Sequence, residues 1–137
     1  MKYVDTSVLL RVVFAEAGPA VSLQAGDLVF SSDLAEVEAF RAIDRARLTG
    51  QLDDRQTAVK RQELTALMGV LDLIPIDRAV VDRAKSPFAV PVRALDAIHV
   101  AAAEVLAQEA DQPVEFWTHD DRQRIAALSR GFAVYGI

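Results

Sequence analysis

Short apolar runs alternate with longer stretches of helical periodicity along this chain. Tyr3-Val4 leads into Asp5-Thr6-Ser7 and then apolar Val8 to Phe14, which predicts a strand, a capping turn and a helix ended by Gly18-Pro19. Leu28-Val29-Phe30 predicts a second buried strand. Asp33, with Glu36 three residues on, has the form of a capping box opening a helix to about Thr49-Gly50. Leu52 to about Leu71, rich in Gln, Arg, Leu and Ala, predicts a helix paired with its predecessor across Gly50. Leu73-Ile74-Pro75-Ile76 reads as a strand whose proline suits an edge or a strand end, followed by a helix near Arg78 to Lys85. Ser86-Pro87 and Pro91 punctuate a loop. Arg93 to about Glu109 carries the strongest helical repeat, with Leu95, Ile98, Ala102 and Val105 expected on the core side. Val114 to Trp117 is the next strand, Asp120 to Ser129 a last helix stopped by Gly131, and Phe132 to Tyr135 a final strand.

Strands alternating with helices predict a parallel sheet covered on both faces, a three-layer α/β/α domain with a mainly parallel sheet spanning residues 1–137. In such folds ligands lie at the carboxyl ends of the strands. Polar residues that immediately follow apolar strands are therefore the candidates. Three strand ends qualify: Asp5-Thr6-Ser7, Ser31-Ser32-Asp33 and Thr118-His119-Asp120-Asp121. Taken alone, Asp5 and Asp120 also look like helix N-caps. Asp96 lies beside the expected core position Leu95 near a helix start, where a carboxylate is favoured electrostatically, although a salt bridge to Arg93 would account for it equally well. Glu38 is four residues beyond Leu34 and shares its helix face, whereas Glu36 lies about 200° away. A pair with Arg41 is the plain alternative for Glu38.

Composition narrows the chemistry. Apolar residues make up 52% of the chain and charged residues 26%, the balance of a packed globule and not of a disordered tail. With no cysteine there are no disulfides, thiolate nucleophiles or zinc–sulfur sites, so any metal must use oxygen or imidazole. The N-terminal residues reach an acid before any apolar run long enough for a signal peptide, and no later run approaches a membrane span, so a cytoplasmic location with no membrane partner is expected. A net charge of −5 by itself disfavours nucleic acid. If about four of the acids converge on one or two divalent cations, however, roughly two to four charges are cancelled where phosphate would approach.

The motifs in combination resemble the PIN domain, and in particular VapC-type toxins, over nearly the whole length. Tyr3-Val4-Asp5-Thr6-Ser7-Val8-Leu9-Leu10 is similar to the family's opening strand and first acid, and Val37-Glu38-Ala39-Phe40-Arg41-Ala42 to its second acidic motif. Leu95-Asp96-Ala97-Ile98-His99-Val100-Ala101-Ala102-Ala103 resembles the third, and Trp117-Thr118-His119-Asp120 the fourth. The resemblance implies catalytic and metal-site roles for Asp5, Glu38, Asp96 and Asp120, with Thr6 or Ser7 orienting Asp5. It also implies a Mg²⁺- or Mn²⁺-dependent endoribonuclease, an RNA substrate, a cognate VapB-like antitoxin and a homodimer. Asp121, beside Asp120, competes for the fourth place; the spacing of two residues after Thr118 favours Asp120.

The remaining polar residues have plainer readings. His99 and His119 lack zinc-helix spacing, and His99, three residues from Asp96, is expected to buttress it. Asp77 reads as an N-cap, Trp117 as sheet core, and most arginines as solvated, with Arg93 and Arg122 set apart only by lying beside acids. A haloacid-dehalogenase-type phosphatase would need a second Asp where Ser7 stands, and a receiver domain would need paired acids after its first strand. A PIN-like module that grips RNA or protein without cutting is the alternative from another class.

Overall fold

The computed structural model describes residues 1–15 and 28–136. Five short strands, β1 (Lys2–Val4), β2 (Val29–Ser32), β3 (Asp72–Ile74), β4 (Glu115–Trp117) and β5 (Ala133–Tyr135), form one sheet in the order β3-β2-β1-β4-β5. Every pairing is parallel. The register is level at the centre, with Tyr3 opposite both Phe30 and Phe116, so the carboxyl ends finish together. β3 is an edge strand, and Pro75 follows its last residue, where a missing N–H costs the ladder nothing.

Alternation along the strands splits the core into two clusters. Tyr3 and Phe116 point into one, with Val80, Val100 and Val105 from α4 (Arg78–Ala84) and α5 (Ala94–Ala110), and Ala126 and Ala127 from α6 (Asp121–Ser129). Val4 and Val29 point into the other, against α1 (Thr6–Val13), α2 (Asp33–Leu48) and α3 (Asp54–Met68). The result is the α/β/α sandwich that the alternation of periods predicts, with all strands parallel.

Local chemistry explains the element ends, including those the sequence misplaced. α2 is capped by Ser32, whose hydroxyl accepts from Ala35 N at 3.3 Å, and not by Asp33, which lies in the first turn. The expected helix from Leu52 starts later, because Asp53 and Gln56 form a reciprocal capping box. Asp77 caps α4 as expected. Leu95, expected in the core, is 49% exposed. Ala102 and Val105 are buried as expected and Ile98 packs against the same core, but α5 is covered more widely, with Ala97, Val100, Ala101, Ala103 and Leu106 buried as well. Gly131 ends α6 at a φ of +83°, a conformation that disfavours side chains. The Gly18-Pro19 stop lies outside the described residues. No helix among the described residues is long and apolar enough to cross a membrane.

Candidate active site

The strand order reverses at β1. The chain first builds outward to β2 and β3, then returns to the other side with β4 and β5. In parallel sheets a crevice opens above the carboxyl ends at such a switch point, because the flanking helices leave on opposite faces. Asp5 directly follows β1, and Thr118 directly follows β4. Asp5 N donates to Trp117 O at 3.1 Å, closing the base of this crevice.

Asp5 is 3% exposed and held by three donors. Ser7 Oγ donates to Oδ1 at 2.5 Å and Thr118 Oγ1 to Oδ2 at 2.5 Å, while Val8 N caps onto Oδ1 at 3.3 Å. The cap role and the site-facing position therefore coexist. Burial pushes the Asp5 carboxyl up, against the lowering pull of His99 and the three donors. Thr118 is wholly buried and also accepts from Asp120 N at 3.0 Å, so one hydroxyl ties the β1 acid to the β4 acid.

Glu38 comes from α2 and is held across the sheet. Thr6 Oγ1 donates to Oε1 at 2.7 Å, and His99 Nε2 meets the same oxygen at 2.6 Å. Burial would raise this carboxyl, but the hydrogen bond and attraction from His99, with the Thr6 hydroxyl, outweigh it and hold Glu38 below its ordinary range. Behind His99, Tyr3 Oη lies 2.9 Å from Nδ1. Burial pushes the phenol far up, so it keeps its proton. Its hydroxyl can pair with Nδ1 whether that nitrogen accepts or, in the imidazolium, donates, while Nε2–H faces Glu38. His99 thus supports Glu38 by hydrogen bonding, where the spacing had suggested Asp96. Arg41, the alternative partner of Glu38, binds Asp44 at 3.0 Å. Ser7 takes the orienting role on Asp5, and Thr6 serves Glu38 instead.

Asp96 and Asp120 form the more open side. Asp96 lies in the first turn of α5, and its carboxyl is pushed up by burial and then by the charges of Asp120 and Glu38, with Arg122 and His99 opposing. Asp120 caps α6, accepting from Arg122 N at 2.8 Å and Gln123 N at 3.2 Å. Asp121 is the first residue of α6, and its exposed carboxylate binds Arg124 at 3.3 Å. Gln123, buried and unremarkable in the sequence, donates from Nε2 to Asp96 O at 3.1 Å and fixes α5 against α6. His119 lies with Arg11, 3.0 Å from Nδ1 to the guanidinium. Trp117 stacks on Tyr135 at 5.3 Å and, half-buried, packs against the core beneath α1, α2 and α3.

Four carboxylates from four elements are thus linked near the carboxyl ends of the strands, Asp5 to Asp120 through the Thr118 hydroxyl and Asp96 to Asp120 and Glu38 through their charges. They are hard oxygen donors that repel one another, which is the chemistry of a divalent-cation site. Among the described residues, no three acid or imidazole groups already stand close enough to enclose one ion. The donors fit such an ion in kind.

A model of the PIN domain matches residues 2–128. Ribonuclease VapC46 of Mycobacterium tuberculosis is 31% identical over 135 residues, covering 96% of this chain and 94% of the relative. Ribonuclease VapC47 of the same organism is 28% identical over 139 residues, covering 96% and 93%. Among solved structures, FitAB bound to an IR36 DNA fragment superposes with a TM-score of 0.63 at 16% identity, covering 98% of this chain and 94% of that one; at this identity the likeness speaks for the fold. The parallel sheet and the match along almost the full length agree, and the chain belongs to the PIN-domain family, with VapC ribonucleases among its relatives.

Proposed function

We propose that this protein is a Mg²⁺- or Mn²⁺-dependent endoribonuclease that hydrolyses RNA phosphodiester bonds, and that it acts as the toxin of a toxin–antitoxin pair. The observation that carries the reading is that Asp96 is pushed up by burial and by the charges of Asp120 and Glu38, while the Thr118 hydroxyl ties Asp5 to Asp120. Carboxylates that destabilise one another in the folded chain have a clear use if a cation joins them. The ribonuclease names of the relatives support RNA as the substrate.

When bound, the ion would activate a water and offset charge developing on the phosphate. The protein's part is orientation. Ser7 and Thr118 hold both oxygens of Asp5, while Thr6 and His99 hold one oxygen of Glu38, which fixes the orientation of these two acids. Asp96 and Asp120 complete the donor set from the open side. The net charge of −5 is compatible with an RNA substrate because these acids would be neutralised where the phosphate enters.

Purified protein should cut structured RNA with Mg²⁺ or Mn²⁺ and stop in EDTA; cleavage undiminished by chelator, with contaminating nucleases excluded, would sink the metal mechanism. RNA binding without any cleavage would favour the non-catalytic module. For the toxin role, expression alone should arrest growth, and coexpression of a small VapB-like antitoxin from the neighbouring gene should restore it. Light scattering tests the homodimer that belongs to the same proposal.

A further inference from the structure

Beside the acids lies a groove of about 310 Å³ lined by Pro91, Val92, Arg93, Asp96, Arg122 and Ile125. Asp96, which feels the charges of Asp120 and Glu38, lines the groove, so the groove adjoins the acids. The rest of the lining divides into two guanidinium groups and an apolar wall. Among common ligands, a nucleotide divides in the same way, into an anionic phosphate and a flat, largely apolar base face.

Three further observations favour that occupant. Arg122 is 3.9 Å from Asp120 but 58% exposed, and Arg93 is exposed, so both can reach phosphate. Ile125 is 44% exposed, three residues after Arg122 and on the same side of α6, where it serves no buried core. The volume lies at the small end of ligand sites, which suits one nucleoside better than a helix or extended peptide.

The walls are also set in advance. Arg130 donates to Ser86 Oγ at 2.9 Å, Pro87 O at 3.3 Å and Glu104 Oε1 at 2.8 Å, and its guanidinium lies 3.8 Å over Phe88. This anchors the connection that ends in Pro91-Val92-Arg93. The Gln123 bond to Asp96 O fixes the opposite wall.

We propose that this groove is a subsite for one unpaired nucleotide next to the scissile phosphate. Its base lies on Val92 and Ile125, and its flanking phosphates meet Arg93 and Arg122. A base held in a duplex could not enter, so the subsite selects single-stranded or looped RNA. The inference rests on the ribonuclease reading.

The test is fluorescence anisotropy in EDTA, using a short single-stranded oligoribonucleotide and an abasic ribose-phosphate strand of equal length. Arg93→Gln and Arg122→Gln should each weaken both probes several-fold and reduce the slope of log affinity against log salt by about 0.7. Ile125→Ser should weaken the base-bearing probe by about fivefold and leave the abasic probe unchanged. Arg47→Gln, at the far end of α2, is the charge control. Arginine variants that behave like this control, or equal losses on both probes for Ile125→Ser, overturn the subsite. So do variants that keep RNA binding but lose the neighbouring-gene antitoxin, which would assign the groove to a protein. A wild-type protein that cuts RNA with unaffected variants sinks the subsite alone. One that shows the predicted binding pattern but never cuts sinks the hydrolytic reading alone, and one that binds no RNA sinks both.

Discussion

Asp5 and Glu38 on one side of the crevice, and Asp96 and Asp120 on the other, are carboxylates at the same sheet edge in very different surroundings. The first pair is held by side-chain donors at 2.5–2.7 Å from Ser7, Thr118, Thr6 and His99. The second pair has backbone caps, an arginine at 3.9 Å, and each other's charge. One side is a fixed scaffold. The other is held by fewer side-chain donors, and it is where the groove opens. Within the fixed side the two acids also differ, since Asp5 is raised by burial and Glu38 is lowered because His99 and Thr6 favour its ionised form.

The largest expected effect removes charge from either side. Asp5→Asn and Asp96→Asn should each lower RNA cleavage on the order of a thousandfold or more, measured with a fluorogenic RNA, if both sides serve one cation. Retained activity in either would remove that side from the chemistry. Thr118→Val tests the scaffold without touching a carboxylate. It strips a donor from Asp5 and an acceptor from Asp120 N, and should cost about 10–100-fold in activity or metal affinity and about 1–3 kcal/mol of stability by chemical denaturation.

Stability in EDTA sharpens the contrast between acids. Glu38→Gln weakens charge-assisted hydrogen bonds and should cost about 1–2 kcal/mol. Asp5→Asn and Asp96→Asn remove charges that the fold disfavours, and should leave stability equal or higher. Equal losses in all three would mean that the acids are ordinary structural partners.

The same shifts fix a pH dependence. Asp5 and Asp96 are raised, so their contribution to metal-free stability is fully present below an unfolded pKa of about 3.9 and is lost as pH rises through their folded values. Glu38 is lowered, so its contribution is present above about 4.3 and is lost as pH falls through its folded value. Thermal melts in EDTA should show Asp5→Asn flattening the decline on the alkaline side and Glu38→Gln flattening the acidic side. The smallest effects belong to Glu36→Gln and Asp121→Asn, which should retain activity within about twofold, because Asp121 faces solvent beside Arg124 and Glu36 is outside the hydrogen-bonded set.

Much of this molecule is legible in the chain. The order of elements, the parallel sheet and the strand-end acids follow from periodicity and turn chemistry, because those signals are local: an apolar pair then Asp-Thr-Ser, or Trp-Thr-His-Asp, writes a strand end into a few residues. Element boundaries were less legible where two caps compete, as at Ser32 and Asp33, since either side chain can satisfy the same backbone donors. Leu95 was misplaced, although Ala102 and Val105 on the same predicted face are buried, because the helical repeat does not show where along α5 the covering neighbours end.

The sequence by itself determined which residue types stand at the strand ends, Asp5 and Asp120 among them, and that Glu38 and Asp96 are carried on helices. Tertiary structure alone decided their partners. His99 is three residues from Asp96 in sequence, yet its ring reaches Glu38, 61 positions away, and Thr118 grips Asp5 across 113 positions. Such pairings depend on which helix crosses which face of the sheet and where the strand order reverses. They also set each acid's electrostatic state, because burial, donors and like charges act through space and not along the chain.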